Sequence, residues 1–247
     1  MTIEPLYLVG YGSLIFKYPL HNHAFSKDFI RLPGYVKGFA RRFWQSSSDN
    51  RGTPEQKGRV VTIIPHTQIT TNESFQPDII HYELSQLPQQ EAKATIADPQ
   101  KLFDQLTVWG CCFYIPPEHA VQASEYLDLR EKDGYTTQEI EFNVVPTKEQ
   151  LVDSKVSAIL EGLPKNDQGE PVIKSVVYVA TTDNTSFIGP EDVKDTADVI
   201  RVCHGESGPN DEYLLELHKS LVGLDPSGLE RAQDPYLDDL VQLVTKP

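Results

Sequence analysis

Leu8-Val9-Gly10-Tyr11-Gly12-Ser13-Leu14-Ile15 is the stretch on which the reading of this chain turns. A short apolar run, Leu6 to Val9, feeds into two glycines one residue apart. That spacing lets backbone N–H groups converge on a concavity that holds an anion or an oxyanion. Two other uses of glycine pairs fail on spacing. A dinucleotide fingerprint needs a third glycine opening a helix, but Ile15 stands there and Lys17-Tyr18-Pro19 follows. A nucleophile elbow needs Gly-x-Ser-x-Gly, and the second glycine after Ser13 is missing. The loop is therefore a candidate cradle, with a plain glycine turn at a strand end as the competing reading.

The rest of the chain bounds what such a loop can serve. With 247 residues, 39% of them apolar and 23% charged, it is long enough to bury a sizeable core as one large domain or two small ones. No apolar run approaches the roughly 20 residues of a membrane span, and the N-terminus carries neither a basic region nor a long apolar one. A cytoplasmic protein is expected. Cys111, Cys112 and Cys203 form neither a disulfide framework nor a pair of metal clips and read as core residues. The net charge of −14 argues against a nucleic-acid partner, which requires a basic footprint. Yet Lys37 to Arg59 holds six basic residues and two acids. Such a segment either grips an anionic small molecule or is a solvated basic face.

Patterning predicts one α+β domain with surface insertions at about residues 67–106 and 149–168. Strands are expected at Leu6–Gly10, at Arg59–Pro65, at Thr107–Ile115, over Glu139–Val145 and over Pro171–Thr182, with one or two bent strands over Ile30–Gln45. In Phe39-Ala40-Arg41-Arg42-Phe43-Trp44-Gln45 a period of two sends Arg41 and Arg42 to opposite faces, so one can face a cavity while the other lies on the surface. A short helix is expected near Gln89–Ala97, and a longer one from Pro116-Pro117-Glu118 to about Lys132. Further helices run to about Cys203, from Asn210 to about Val222, and from an Asp234 cap with Pro235 in its first turn. In the helix that ends near Lys132, Ala120, Ala123 and Leu127 line one side, and Glu131 follows Leu127 by one turn. A carboxylate at the end of an apolar stripe is a candidate functional group; the alternative is a surface pairing with Arg130 or Lys132.

Several fragments occur in an order that resembles the ChaC family. They are Gly10-Tyr11-Gly12-Ser13-Leu14-Ile15, Arg41-Arg42-Phe43-Trp44-Gln45, Arg51-Gly52-Thr53-Pro54, Lys57-Gly58-Arg59-Val60-Val61-Thr62, the run Glu125 to Tyr135, Ile188-Gly189-Pro190 and Asn210-Asp211-Glu212-Tyr213-Leu214. The chain is similar to fungal glutathione-specific gamma-glutamylcyclotransferases. The resemblance implies a closed, barrel-like mixed β core with flanking helices, the gamma-glutamylcyclotransferase-like fold. It also implies conversion of glutathione to 5-oxoproline and cysteinylglycine without cofactor or metal. It makes the loop Gly10, Tyr11, Gly12, Ser13, Leu14 and Ile15 the site for the gamma-glutamyl group, and Glu131 the acid/base. One departure is visible: Asp49-Asn50-Arg51-Gly52 replaces the family's Asp-His-Arg-Gly.

The chemistry suits these residues. The substrate's own α-amine closes the five-membered ring, so no protein nucleophile is required, and Glu131 would take the amine proton and return it to the leaving nitrogen. Backbone N–H groups of Gly12, Ser13 and Leu14 would stabilise the oxyanion. Arg41 or Arg42 would grip a substrate carboxylate, helped by Gln45, Tyr135 or Tyr213. A monomer with glutathione as its small-molecule partner is expected. The alternatives are another gamma-glutamyl peptide or amine as substrate, or a non-catalytic regulatory module. A hydrolase using Ser13 or Ser207 is the least favoured reading.

Overall fold

The runs expected as strands form strands, most within a residue or two of the expected bounds, although the one expected over Glu139–Val145 begins at Tyr135. The computed structural model describes residues 4–17, 27–130, 135–180, 182–229 and 231–246. In chain order its strands are β1 (Leu6–Gly10), β2 (Ile30–Lys37), β3 (Phe39–Ser47), β4 (Gly58–Pro65), β5 (Thr107–Ile115), β6 (Tyr135–Val144), β7 (Val172–Ala180), β8 (His204–Gly205) and β9 (Gly208–Pro209). The helices are α1 (His66–Thr71), α2 (Gln76–Tyr82), α3 (Gln89–Ala97), α4 (Pro99–Gln105), α5 (Pro117–Arg130), α6 (Lys148–Val152), α7 (Ser154–Glu161), α8 (Val193–Val202), α9 (Asn210–Leu221) and α10 (Pro235–Thr245). The fold class is α+β, as expected. No helix among the described residues is long and apolar enough to cross a membrane. The chain divides into two compact units, one of Met1–Val36, Trp109–Val179 and Ser220–Ala232, the other of Lys37–Val108, Ala180–Lys219 and Gln233–Pro247.

The first unit is built on a sheet of order β1-β5-β2-β6-β7. β1 pairs antiparallel with β5, and β2 with β6. Its two edge strands meet: the Ser175 hydroxyl on β7 donates to the Tyr7 carbonyl on β1 at 2.8 Å. The sheet therefore curls into a barrel whose seam carries a side-chain hydrogen bond, which removes the exposed edges an open sheet would leave. Cys111, Cys112, Phe113 and Ile115 on β5 are fully buried, the cysteines in the core role expected of them. Ala120 and Ala123 of α5 are also buried. Residues 149–168, expected as a polar insertion, hold α6 and α7. A Thr147–Gln150 capping box starts α6, and α7 buries Val156 and Leu160.

The second unit is organised on the β3–β4 ribbon, with Phe39 opposite Pro65 and Ser47 opposite Gly58. Gly38 separates β2 from β3 with φ of +79°, and a Cβ there would lie 2.3 Å from the Phe103 ring, so the bent run resolves into two strands at that point. Residues 67–106 depart from the sequence expectation. They are not surface elaboration but four short helices whose apolar residues complete a core. Ile69, Phe75, Ile79, Leu84, Ala92, Ile96, Leu102 and Leu106 pack with Ala40, Trp44 and Ile64 of the ribbon. Of the expected caps, Asp234 accepts from the Leu237 amide at the start of α10, whereas the Asn210 side chain at the start of α9 exchanges hydrogen bonds with the Arg59 backbone; Asp98, not singled out in the sequence, accepts from the Gln100 and Lys101 amides at the start of α4.

The barrel seam makes a stability prediction. Ser175→Ala removes the edge hydrogen bond and is expected to lower the unfolding free energy by about 1 kcal/mol. Urea denaturation measures this, and an unchanged midpoint would show that the seam contributes nothing.

Candidate active site

β1 delivers the chain to the glycine loop by placing Val9 opposite Cys112 and Gly10 opposite Cys111. Two close approaches shape the loop. A Cβ on Gly110 would lie 2.3 Å from the Gly10 carbonyl oxygen, and a Cβ on Gly10 would lie 2.6 Å from the Leu14 Cβ. Neither position has room for a side chain. Gly110 is not among the sequence-derived site residues, although its signal is legible: a lone glycine within an apolar strand marks close backbone approach.

From Gly12, which has φ of −125° and needs no left-handed backbone, the chain enters a 3-10 turn at Ser13–Ile15. The Ile15 amide donates to the Gly12 carbonyl at 2.9 Å, and the Phe16 and Lys17 amides donate to the Ser13 carbonyl at 3.2 and 2.7 Å. A helical turn leaves its first amides without partners inside it. Those of Gly12, Ser13 and Leu14 are the ones left over here, on residues that are half-buried. Glu131 lies outside the described residues. Tyr135 is the first residue of β6, and the structure describes its backbone alone.

Arg41, Arg42, Gln45 and Tyr213 belong to the second unit, and the expectation that one arginine lies on the surface does not hold. Arg41 and Arg42 are 2% and 0% exposed. Every residue of β3 is buried, because helices cover the ribbon and a register shift between Arg42 and Gln45 breaks the simple alternation. The Arg42 guanidinium donates to both Glu83 carboxylate oxygens at 2.8 and 2.7 Å, to Asp78, and to the Arg41 carbonyl. It also lies over the Tyr82 and Tyr236 rings at 5.2 and 4.7 Å. Burial alone would lower its pKa, but Glu83 and Asp78 outweigh that and hold it charged. Arg41 pairs with Asp234 at 3.0 Å. Gln45 is buried and forms a bridge with Phe187. Tyr213 packs edge-on against Phe43 beneath the Arg51 guanidinium.

The basic segment is thus spent largely inside the protein. Arg59 forms a two-pronged pair with Glu191. Arg51 donates to the Pro209 carbonyl at 2.7 Å. Asn50 accepts from the Ser207 hydroxyl at 2.8 Å and donates to Asp49. That contact engages the Ser207 hydroxyl and ties the Asp49–Gly52 turn to the β8–β9 hairpin, whose Gly205 approaches the Asn50 backbone too closely to carry a Cβ. Asp78 and Glu83 escaped sequence reasoning because nothing local marks them as partners of an arginine 36 and 41 residues away.

The profile of the ChaC-like protein family matches residues 6–247. The glutathione-specific gamma-glutamylcyclotransferase of Saccharomyces cerevisiae is 42% identical over 245 residues, which span 98% of this chain and 96% of that protein. The protein of the same name from Schizosaccharomyces pombe is 33% identical over 231 residues, covering 91% of this chain and 88% of its own. The crystal structure of a yeast gamma-glutamyl cyclotransferase specific to glutathione shares the fold, with a TM-score of 0.80 at 39% identity over 97% of this chain and 95% of that one.

The Arg42 cluster yields a prediction that separates folding from binding. Arg42→Ala leaves Glu83 and Asp78 without their cation and is expected to cost about 3–5 kcal/mol of stability. Chemical denaturation reads this directly. A stably folded variant with only a raised KM would instead make Arg42 a substrate ligand.

Proposed function

We propose, from the premise that this chain belongs to the ChaC-like protein family, that it converts glutathione into 5-oxoproline and cysteinylglycine. The observation that carries this reading is the 42% identity, over 98% of the chain, to a relative named for that activity. The geometry of the Gly10–Ile15 loop supports it, because amides left over by the 3-10 turn are the donors an oxyanion needs.

In the reaction the glutamyl α-amine attacks the γ-carbonyl carbon. A C–N bond forms, the bond to the cysteinyl nitrogen breaks, and one proton passes from the attacking to the leaving nitrogen. Glu131 carries that proton in this reading, first as base and then as acid, a role typically worth about 10²–10⁴ in rate. Holding the amine in a near-attack conformer supplies a further share through orientation. The amides of Gly12, Ser13 and Leu14 stabilise the carbonyl oxygen as it becomes anionic, and Tyr11 belongs to the loop that holds the glutamyl group. Neither arginine is assigned to carboxylate recognition, since the Arg42 guanidinium is divided among Asp78, Glu83 and a backbone carbonyl and the buried Arg41 is paired with Asp234. The protein acts in the cytoplasm as a monomer, on a diffusing small molecule and without cofactor.

Release of 5-oxoproline from glutathione by the wild type and by Glu131→Gln tests the proposal, with circular dichroism confirming that both are folded. Release by the wild type and its loss in the folded variant are expected. No release by the wild type, with turnover of gamma-glutamylalanine in its place, would move the substrate to another gamma-glutamyl compound. Undiminished release by Glu131→Gln would remove that residue from the mechanism.

A further inference from the structure

Behind the glycine loop two side chains from neighbouring strands of the barrel take hold of its backbone. Arg31, on β2, donates from Nη2 to the Ile15 carbonyl at 3.1 Å. Cys111, on β5, donates from Sγ to the Leu14 carbonyl at 3.8 Å. Together with the turn's own bonds, these contacts engage the carbonyls of four consecutive residues, Gly12, Ser13, Leu14 and Ile15. A planar trans peptide points its N–H opposite to the C=O of the preceding residue. Fixing the Gly12 and Ser13 carbonyls inside the turn therefore fixes the N–H directions of Ser13 and Leu14. Fixing the Leu14 and Ile15 carbonyls onto β5 and β2 fixes the turn as a whole against the barrel.

The placement of Arg31 is costly for a residue that only packs. Its Nε is buried with no hydrogen-bond partner, and no carboxylate pairs with it among the described residues. A partly desolvated guanidinium would ordinarily be compensated by an acid, as Arg41, Arg42 and Arg59 are in the other unit. Arg31 in turn accepts at its backbone carbonyl from Gln150 Nε2 at 2.7 Å. Its charge also acts on Cys111: burial pushes that thiol up to about 11, and the nearby guanidinium draws it downward. The thiol consequently stays protonated at neutral pH and available as a donor to Leu14.

We propose that Arg31 and Cys111 are positioning residues for the cyclotransfer reaction, holding the Gly10–Ile15 loop so that its leftover amides stay aimed at the developing oxyanion. This rests on the reading of that loop as the oxyanion cradle. Misplacing such donors by a fraction of an ångström to an ångström is felt in the transition state more than in the ground state. The signature is a fall in kcat with KM nearly unchanged.

Steady-state kinetics with glutathione on the full chain tests the proposal with Arg31→Met, Arg31→Lys, Cys111→Ala and Gly110→Ala, each checked for folding by thermal unfolding. Arg31→Met is expected to lower kcat by about 10- to 100-fold, with Arg31→Lys recovering part of the loss because it keeps a donor and the charge. Cys111→Ala is expected to lower kcat less, in keeping with its longer bond. If Arg31→Met does not fold, the Lys and Cys111 variants carry the test, and wild-type kcat in both overturns the proposal. Gly110→Ala drives a Cβ against the Gly10 carbonyl and perturbs the loop without touching Arg31. Loss of kcat in Gly110→Ala with full kcat in folded Arg31→Met overturns the positioning role and leaves the cradle standing. Full kcat in both overturns the cradle reading itself. A raised KM at constant kcat in Arg31→Met makes that residue a substrate ligand and also overturns the proposal.

Discussion

The constraint on which the site depends is the contact of backbone with backbone between β1 and β5. Gly110 lies so close to the Gly10 carbonyl that no side chain fits between them, and Gly10 has no room for a side chain against the Leu14 Cβ as the loop folds back. The antiparallel pairing of β1 with β5 runs right up to this point and leaves the two strands little freedom to shift. A loop leaving such a platform begins from a fixed position and direction, the condition under which backbone amides act as preorganised donors rather than as solvent-like dipoles that must reorient. An intramolecular cyclisation asks little else of a protein: a rigid donor set, a confined amine and a place for one proton.

The second unit shows a different economy of charge. The chain is acidic overall, and its basic stretch reads from sequence as the holder of an anionic ligand. In the structure much of that stretch is used to weld chain segments together. Arg42 joins β3 to the first turn of α2 and to the residue that follows that helix, Arg41 joins β3 to the cap of α10, and Arg59 joins β4 to the segment before α8. Each pair spans a long sequence separation and satisfies a guanidinium that would otherwise be costly to bury. Arg31 departs from this pattern, being partly buried without a carboxylate among the described residues and turned toward a backbone carbonyl of the loop.

Much of this is legible in the amino-acid sequence. The strands Leu6–Gly10 and Thr107–Ile115 are continuous apolar runs, and the Asp234-Pro235 start of α10 follows from cap and turn chemistry. The core role of residues 67–106 is not legible. Its helices have six to nine residues, too short for a 3.6-residue period to emerge, and its buried apolar residues are diluted by polar ones that make the window look like an exposed insertion. The partners of Arg42 are hidden for a related reason, since ion pairs across 36 and 41 residues leave no mark in a local window. In the loop the glycines, Ser13 and Leu14 are visible as a motif, whereas the anchors Arg31 and Cys111 become visible only once β2 and β5 lie in one sheet. Glu131 is marked by its spacing from an apolar stripe and by family resemblance, and it lies outside the described residues.

The central claim is that the substrate's own amine, and neither a protein nucleophile nor water, attacks the γ-carbonyl held by the loop. Turnover of glutathione in oxygen-18 water, with mass spectrometry of the products, tests it most directly. Amine attack retains the original carbonyl oxygen, so 5-oxoproline without heavy oxygen, and no labelled glutamate, is the predicted result. Heavy oxygen in glutamate or in 5-oxoproline would reveal a hydrolytic route and contradict the account.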